Sequence, residues 1–480
     1  MNSRAASAMT KTAHKVFELQ DCLEFAKISG DFNPLHVDPL ESRRTVFGMP
    51  VVHGMHLVMQ GLELLCSQTD RIRLESLKGS FLRPVVVGDK VTWTLTERGA
   101  LQFRVTISTG AQVAFFDVLF QNDNRPSDSG NCVAKKADVA IRSRTFDEVE
   151  TACGELRYPV DSNSLAERFP SAYQSIPVNQ LCDLVTTSTL VGMECPGRHS
   201  LYSRFDFSFS PVAETCPKRA MAYQVIRADK RFRMATLSIK TPECTGEITA
   251  FVRPEPTRQL SFADACGLVG PEEFAGSSAL VVGGSRGLGE VACKLLAAGG
   301  ADVTLTFARG RSDALRMKEE LCEAPGEITI TQLNVRDLVL TDLKPPATSL
   351  DVYYFATPAI SAGTGEFSTA KFQDFCGYYV YGVSELIHGL VRDGFQVQNL
   401  LCPSTAFLDT IPREMVEYAA AKAAAETVCK HLENRIDGLQ VHCPRWPKLK
   451  TDQTAALVPE EFANAPSTVL ESIRQIYQRK

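Results

Sequence analysis

The stretch SGDFNPLHVDPLESRRTVFGMPVVHGM, Ser29 to Met55, constrains this chain more than any other. Gly30, Asn33 and Pro34 break any regular helix there, so Asp31 and His36 share a turn-rich loop. PVVHGM then leads into an apolar helical run, LVMQGLELL. The residues read as an acid and a base on one ordered loop, facing the start of a buried helix. A carboxylate and an imidazole converging on one water can add it across a double bond or remove it, assistance that contributes roughly 10²–10⁴-fold in rate. Backbone N–H groups at a helix start can hold a carbonyl oxygen as it gains negative charge, and Gly54 leaves room for that oxygen to approach. As a lone pair, Asp31 and His36 would read as a turn cap and a satisfied loop histidine; the whole string favours chemistry.

That string is Asp-x-Asn-Pro-x-His, then Phe-Gly-x-Pro-Val-Val-His-Gly. It is matched at Asp31, Asn33, Pro34, His36, Phe47, Gly48, Pro50, Val51, Val52, His53 and Gly54. It resembles the signature of the MaoC-like dehydratases and (R)-specific enoyl-CoA hydratases, which are hot-dog folds. FLRPVVVGD, Phe81 to Asp89, looks like the strand and turn that follow the hot-dog helix. The resemblance implies that Asp31 and His36 hold the catalytic water and that the Gly54 N–H binds the thioester oxygen. It does not assign which of the two moves which proton.

At 480 residues the chain has room for two to four domains of ~100–200 residues. Its small net charge of -5 gives no footprint for nucleic acid or a membrane surface. The 15 cysteines are scattered, with no Cys-x-x-Cys and no Cys/His cluster at zinc-ligand spacing. They read as reduced, mostly buried thiols of a cytoplasmic protein, and no metal is expected. MNSRAASAMTKTAHK lacks the apolar core of a secretory signal, and residues 1–15 read as a disordered tail. No apolar run is long enough to span a bilayer.

Residues 16–122 read as a catalytic hot-dog unit, with strands at GSFLRPV, DKVTWTLTERG, LQFRVTISTG and QVAFFDVLFQ alternating with period two. Residues 123–155 read as a linker that can begin the next unit. Over 156–256 a faint repeat appears. PVVHGMHLVMQGLELL lies beside IPVNQLCDLVTTSTLV, and SLKGSFLRPV beside SLYSRFDFSFSPV. This looks like a second, degenerate hot-dog unit, making a double hot dog with one working site. Asp161 and Asn163 fall opposite Asp31 and Asn33, but Ala166 falls opposite His36 and Asn179 opposite His53. His199 is the remaining polar candidate, or else a turn histidine. Residues 257–277 form a polar linker with a short helix.

From Ser278 to the C-terminus, residues 278–480, strands and helices alternate, the pattern of a doubly wound parallel sheet. The fold class expected for the whole chain is therefore an α+β double hot-dog domain followed by an α/β Rossmann-like domain. The turn Gly283-Gly284-Ser285-Arg286-Gly287-Leu288-Gly289 sits between a strand and a helix, where a pyrophosphate can rest on helix N–H groups. Downstream, Tyr418 and Lys422 lie four apart in EYAAAKAAAE and face the same way on a helix. An ammonium beside a phenol lowers the phenol's pKa, so a tyrosine there can pass a proton near neutral pH. Ser404 follows a strand and can orient a carbonyl. Alone, YAAAK is also an ordinary alanine-rich helix.

This ensemble resembles the short-chain dehydrogenase/reductase family. Gly283, Gly287 and Gly289 match its glycine pattern, Tyr418 and Lys422 its Tyr-x-x-x-Lys, and Ser404 its serine, with Thr405 the alternative. The second strand ends TLTFARGRS, offering Arg309 and Arg311 where a carboxylate would favour NAD. With Arg286 in the glycine turn, guanidinium groups suit a 2′-phosphate, so NADPH is preferred over NADH unless these arginines are merely solvated. Three positions depart from the family. Its Asn-Ala-Gly reads Phe355-Ala356-Thr357, its tetrad asparagine is replaced, with Tyr379 the candidate, and the aspartate after the third strand is Asn334. No final strand is read beyond Thr454.

Together the two resemblances imply a bifunctional cytoplasmic enzyme of fatty-acid- or polyketide-type metabolism. It would pair a 3-hydroxyacyl dehydratase/enoyl hydratase with an NADPH-dependent 3-oxoacyl reductase, acting on acyl-CoA or acyl-carrier-protein thioesters. The arrangement is similar by parts, in reversed order, to the peroxisomal multifunctional enzyme type 2. The alternative is a dehydratase with a nucleotide-binding or scaffolding reductase-like domain; a third reading, a non-catalytic thioester carrier, conflicts with the intact Asp31/His36 motif. By analogy with reductase-family domains, a homo-oligomer is expected.

Overall fold

The computed structural model describes residues 10–67, 71–123, 138–210, 220–360, 367–454 and 461–478. Two compact units result. One holds Met49–Glu255 and the described residues before Arg44; the other holds Arg44–Gly48 and the described residues from Pro256 on. Among the described residues, no helix is long and apolar enough to cross a membrane.

The first unit is a double hot dog. Its strands are β1 (Thr10–Val16), β2 (Ile72–Phe81), β3 (Lys90–Gly99), β4 (Gln102–Thr109), β5 (Ala111–Asn122), β6 (Cys153–Arg157), β7 (Ser200–Phe209), β8 (Ala220–Asp229), β9 (Met234–Lys240) and β10 (Cys244–Val252). They form one sheet in the order β1-β3-β4-β5-β2-β7-β10-β9-β8-β6. The second five strands repeat the first five in mirrored order, the signature of an internal duplication. The first half carries the helix Gly54–Cys66, no residue of which is exposed. Alternate strand residues such as Val91, Trp93 and Leu95 are buried in the same core. The Trp93 indole donates to the Leu57 carbonyl at 3.0 Å, tying sheet to helix. The second half carries the helix Val178–Thr189, which buries Gln180, Asp183, Thr186, Thr187, Ser188 and Thr189. Such burial needs partners, and Gln180, Asp183 and Ser188 each have one. Gln180 clamps both backbone groups of Leu74, at 2.8 and 3.0 Å, where β2 shifts register. Asp183 accepts from the Tyr158 hydroxyl and, at 3.1 Å, from Thr241.

The structure departs from three expectations. The described part of the expected tail, from Thr10, is an edge strand paired with β3 along its whole length. Its sequence, TKTAHKV, lacks hydrophobic alternation because an edge strand with one wet face is protected by charge rather than apolar pattern. The expected linker holds the helix Phe146–Glu150 and the start of β6, a short, mostly exposed edge strand; residues 124–137 lie outside the described residues. The repeat runs two residues out of the expected register: the two central helices start after His53 and Pro177, so Pro177, not Asn179, stands opposite His53.

The second unit is a Rossmann-like doubly wound sheet. Its strands β11 (Ser278–Val282), β12 (Asp302–Phe307), β13 (Ile328–Gln332), β14 (Leu350–Tyr354), β15 (Val397–Leu401) and β17 (Gln440–His442) run parallel in the order β13-β12-β11-β14-β15-β17; β16 (Ser404–Thr405) and β18 (Arg445–Trp446) pair separately. Period two decides which face each residue serves. Ala279 and Val281 join the cluster that includes the helices Gly287–Ala298 and Ala465–Tyr477, while Leu280 and Val282 join the one that includes Leu386 and Leu432. Beyond Thr454 the described residues add the C-terminal helix and no strand.

The halves of the first sheet meet where β2 pairs antiparallel with β7, from Ser76↔Ser208 to Ser80↔Arg204. A Cβ on Gly79 would lie 2.5 Å from the Phe205 ring and 2.7 Å from the Phe115 carbonyl. Alanine ordinarily suits a strand better than glycine, so the sign is diagnostic. Gly79→Ala is expected to destabilise the protein by about 1–3 kcal/mol through overpacking, read from urea unfolding. An unchanged or raised midpoint would show that the seam gives way freely.

Candidate active sites

Two turns present the first loop. The helix Leu19–Ser29 stops at Gly30, whose φ of +80° reverses the chain. Asn33 then caps the turn Pro34–Val37, its Oδ1 accepting the Leu35 N–H at 3.0 Å, while its Nδ2 donates at 2.8 Å to the Gly192 carbonyl of the second half. The turn carries His36, whose Nδ1 lies 2.6 Å from the Val51 carbonyl oxygen. A carbonyl only accepts, so Nδ1 bears the proton and Nε2 of the neutral ring is the open acceptor. The ring stacks on His53, centroids 3.9 Å apart. By the same logic His53 Nε2–H donates to the Asp31 backbone carbonyl, at 3.0 Å.

The Asp31 carboxylate is buried. Its Oδ2 accepts from the Ser188 hydroxyl at 2.7 Å and its Oδ1 from the Asn33 N–H at 3.3 Å. Gly192, in the π-helical turn Leu190–Glu194, packs so close that a Cβ would sit 2.3 Å from Oδ1. Burial raises the Asp31 carboxyl above its ordinary value, against lowering by His36, Ser188 and Asn33. Burial lowers His36, against raising by Asp31 and the Val51 carbonyl. Both groups are thus pushed toward their neutral forms, which narrows the gap across which a proton must move.

Gly54 opens the central helix, where N–H groups lack helical partners; a Cβ there would lie 2.8 Å from the Phe81 ring. Asp31, His36 and His53 each offer a donor atom within 4.8 Å of the others, but Nδ1 of His36 and Nε2 of His53 are committed to carbonyls.

Sequence reading missed the second half's contribution. Ser188 and Gly192 belong to no motif, and only the fold sets them against Asp31. Arg253 is buried, donates to the Arg198 carbonyl at 3.1 Å and leaves Nε without a partner. Burial lowers its pKa to about 10, and its charge pulls His36 further down. His199, at the head of β7, contributes its carbonyl to the Arg253 N–H. Asp161 caps the helix Ser162–Arg168.

In the second unit the glycine turn is closed to side chains. Gly283 has φ +78° and Gly287 φ +57°, and a Cβ on Gly289 would fall 2.3 Å from the Gly283 carbonyl oxygen. Ser285 is buried, and Leu288 packs on the core behind the turn. Arg286 lies 3.8 Å from the Asp452 carboxylate. Arg309 is exposed after β12 and lines a cavity of about 270 Å³ with Ala308, Asn334, Arg336, Asp374 and Tyr378. Arg311 opens the next helix and is exposed.

Tyr418 and Lys422 share one face of the helix Val416–Arg435. Lys422 donates to the Pro403 carbonyl at 2.7 Å and lies 4.0 Å above the Tyr379 ring and 5.9 Å from the Tyr418 ring. Tyr379 sits in the π-helical turn Gly377–Gly382, its hydroxyl paired with Thr357. Ser404 is buried and donates to Glu426 at 2.6 Å, a carboxylate that Arg445 also grips. Thr405 caps the turn Ala406–Leu408. The structure therefore gathers Tyr418, Lys422 and Tyr379, and turns the Ser404 hydroxyl to Glu426.

Residues 4–114 match the family described as MaoC like domain, and residues 277–342 the family described as short chain dehydrogenase. An (R)-specific enoyl-CoA hydratase of Aeromonas caviae is 45% identical over 82 residues, which cover 16% of this chain and 60% of that protein. A peroxisomal hydratase-dehydrogenase-epimerase of Saccharomyces cerevisiae is 32% identical over 91 residues, 19% of this chain and 10% of that protein. The chain thus spans less than two thirds of the length of these relatives. Among solved structures, a MaoC-like dehydratase is 11% identical, covering 51% of this chain and 97% of that one with a TM-score of 0.35.

The buried histidines set a pH dependence. His36 and His53 are lowered by burial, and His56, stacked on Phe25 with neither ring nitrogen bonded, is pushed down to about 3. Below pH ~6.5 the unfolded chain binds the protons that the fold excludes, so stability present above that pH is withdrawn as pH falls. Asp31, shifted upward, works in the opposite sense. His56 alone is expected to remove about 2 kcal/mol between pH 8 and pH 5. Denaturant unfolding of His56→Phe should show the loss reduced by that amount; an identical loss would mean that His56 is not held neutral.

Proposed function

We propose that this chain, with its MaoC-like dehydratase domain and its short-chain dehydrogenase domain, is an enzyme of acyl thioesters. The first domain adds or removes water; the second interconverts a ketone and an alcohol. The observation that carries the reading is the facing pair of Asp31 and His36. His36, locked by Val51, presents a bare Nε2, and Asp31 is a buried carboxyl on the same loop. A water between them loses a proton to one of the pair. The water oxygen bonds to the β-carbon as the double-bond electron pair moves to the carbon beside the carbonyl, the pair returns a proton to that carbon, and the reverse removes water from a 3-hydroxyacyl thioester. We assign the Gly54 N–H, at the helix start, to the thioester oxygen. Ser188 and Asn33 hold the carboxylate in place.

The closed glycine turn fits a dinucleotide pyrophosphate, held along Gly283, Ser285, Arg286, Gly287, Leu288 and Gly289. Arg309, in the cavity after β12, supports NADPH over NADH. When bound, a nicotinamide cofactor supplies hydride chemistry. Tyr418 gives the proton to the substrate oxygen, with Lys422 anchored beside it on Pro403. Reduction of a 3-oxoacyl thioester yields the 3-hydroxyacyl thioester that the first domain dehydrates, which is why the two activities suit one chain. The thioester carrier in this reading is coenzyme A or an acyl-carrier protein.

A second reading is favoured by Ser404, whose hydroxyl is spent on Glu426, and by the Tyr379 ring against Lys422. In it, the second domain binds nucleotide without turnover.

Crotonyl-CoA hydration and NADPH oxidation with acetoacetyl-CoA separate the readings. Asp31→Asn and His36→Ala are each expected to lower hydration by about 10²–10⁴-fold and to spare NADPH oxidation. Tyr418→Phe is expected to do the reverse. Hydration with no NADPH oxidation, despite NADPH binding, selects the second reading; no hydration by the parent protein on either carrier overturns the proposal.

A further inference from the structure

Three cysteines far apart in the sequence meet in the second unit. Cys402 follows β15, Cys443 follows β17, and Cys429 lies on the helix Val416–Arg435. The Cys402 N–H donates to the His442 carbonyl at 2.9 Å, which holds the two strand ends side by side. The three Sγ atoms all lie within 4.8 Å of one another, and all three thiols are free. Cys402 and Cys429 are buried in an apolar cluster with Tyr354, Leu400 and Leu432; Cys443 is partly exposed and gives a way in. A positive charge lies beside the group: the Lys422 ammonium donates at 2.7 Å to the carbonyl of Pro403, the residue after Cys402.

Free buried cysteines usually serve singly as small hydrophobes. Three sulfurs converging from three elements form a donor set. Zinc–sulfur bonds of ~2.3 Å in tetrahedral geometry put sulfurs ~3.8 Å apart, so these Sγ atoms need draw together by no more than about 1 Å. Charge selects the valence. Three thiolates carry three negative charges; a divalent cation and Lys422 together cancel them, whereas a monovalent ion leaves a buried charge uncompensated. We propose that Cys402, Cys429 and Cys443 bind one thiophilic divalent cation of the zinc class. Three S–H bonds break as three sulfur–metal bonds form, three protons pass to solvent, and nothing is oxidised or reduced. The site adjoins the reductase residues, since Pro403, which follows Cys402, holds Lys422 and precedes Ser404.

The test uses the full chain, reduced and stripped of metal. Zinc is titrated against a colorimetric chelator, and cobalt is used to read the sulfur-to-cobalt charge-transfer band. One equivalent per chain, with the band present, is expected. Cys429→Ser is expected to weaken binding by more than the ~10–100-fold that changes outside the ligand set cost, while Cys376→Ser leaves it unchanged. A readout needing no variant is zinc protection from alkylation, mapped by mass spectrometry. Zinc should slow the reaction at Cys402, Cys429 and Cys443 and not at the exposed Cys153, Cys266 and Cys322. No saturable binding, a band that survives loss of all three cysteines, or protection absent at these positions overturns the proposal.

Discussion

The antiparallel pairing of β2 with β7 is the contact on which the first unit depends. It merges two five-stranded half-sheets into one and fixes the second half's helix against the loop of the first. Without it, Asp31 would lose the Ser188 hydroxyl and the close backing of Gly192, and Asn33 would lose its carbonyl partner. The seam tolerates no bulk: Gly79 is a glycine because Phe205 and the Phe115 carbonyl already occupy the space beside it. Register along two strands thereby becomes geometry at a carboxylate.

The same seam accounts for the odd composition of the second helix. A helix buried on every side is ordinarily apolar, as Gly54–Cys66 largely is. Val178–Thr189 buries amide, acid and hydroxyl groups instead, and Gln180 and Ser188 spend theirs on the first half. Its half has lost the acid and base but has taken over the task of holding their counterparts. Burial does the electrostatic work. Desolvation is the largest influence on Asp31, His36, His53 and His56 alike, and it moves acid and imidazole in opposite directions.

What the sequence makes legible is whatever is written locally. Asp31, Asn33, Pro34 and His36 lie within six residues, so the turn is visible as a string. Val91, Trp93 and Leu95 alternate, so β3 was visible; Gly283, Gly287 and Gly289 carry their backbone requirement in their identity. What could not be read is set by distant partners. β1 and β6 lie at sheet edges, where one wet face erases the alternation that announces a strand. Ser188 and Gly192 are ordinary residues until β7 docks on β2. The Ser404 hydroxyl turned toward Glu426 is fixed by packing, not by motif. Cys402, Cys429 and Cys443 have no telling spacing, since parallel neighbours and a covering helix bring them together.

Because β2 and β7 belong to one polypeptide, the wall behind Asp31 is tethered covalently. Two separate hot-dog chains would share such a wall only at concentrations above their dissociation constant, and dilution would strip it away. Here the partner is present at an effective concentration fixed by the connecting chain. The fusion also frees each copy from serving both roles. A substitution such as one at Gly192 touches a single carboxylate, whereas in a symmetric pair it would recur on the opposite side. Duplication followed by tethering therefore lets one copy drift in sequence as far as its grip on the other allows.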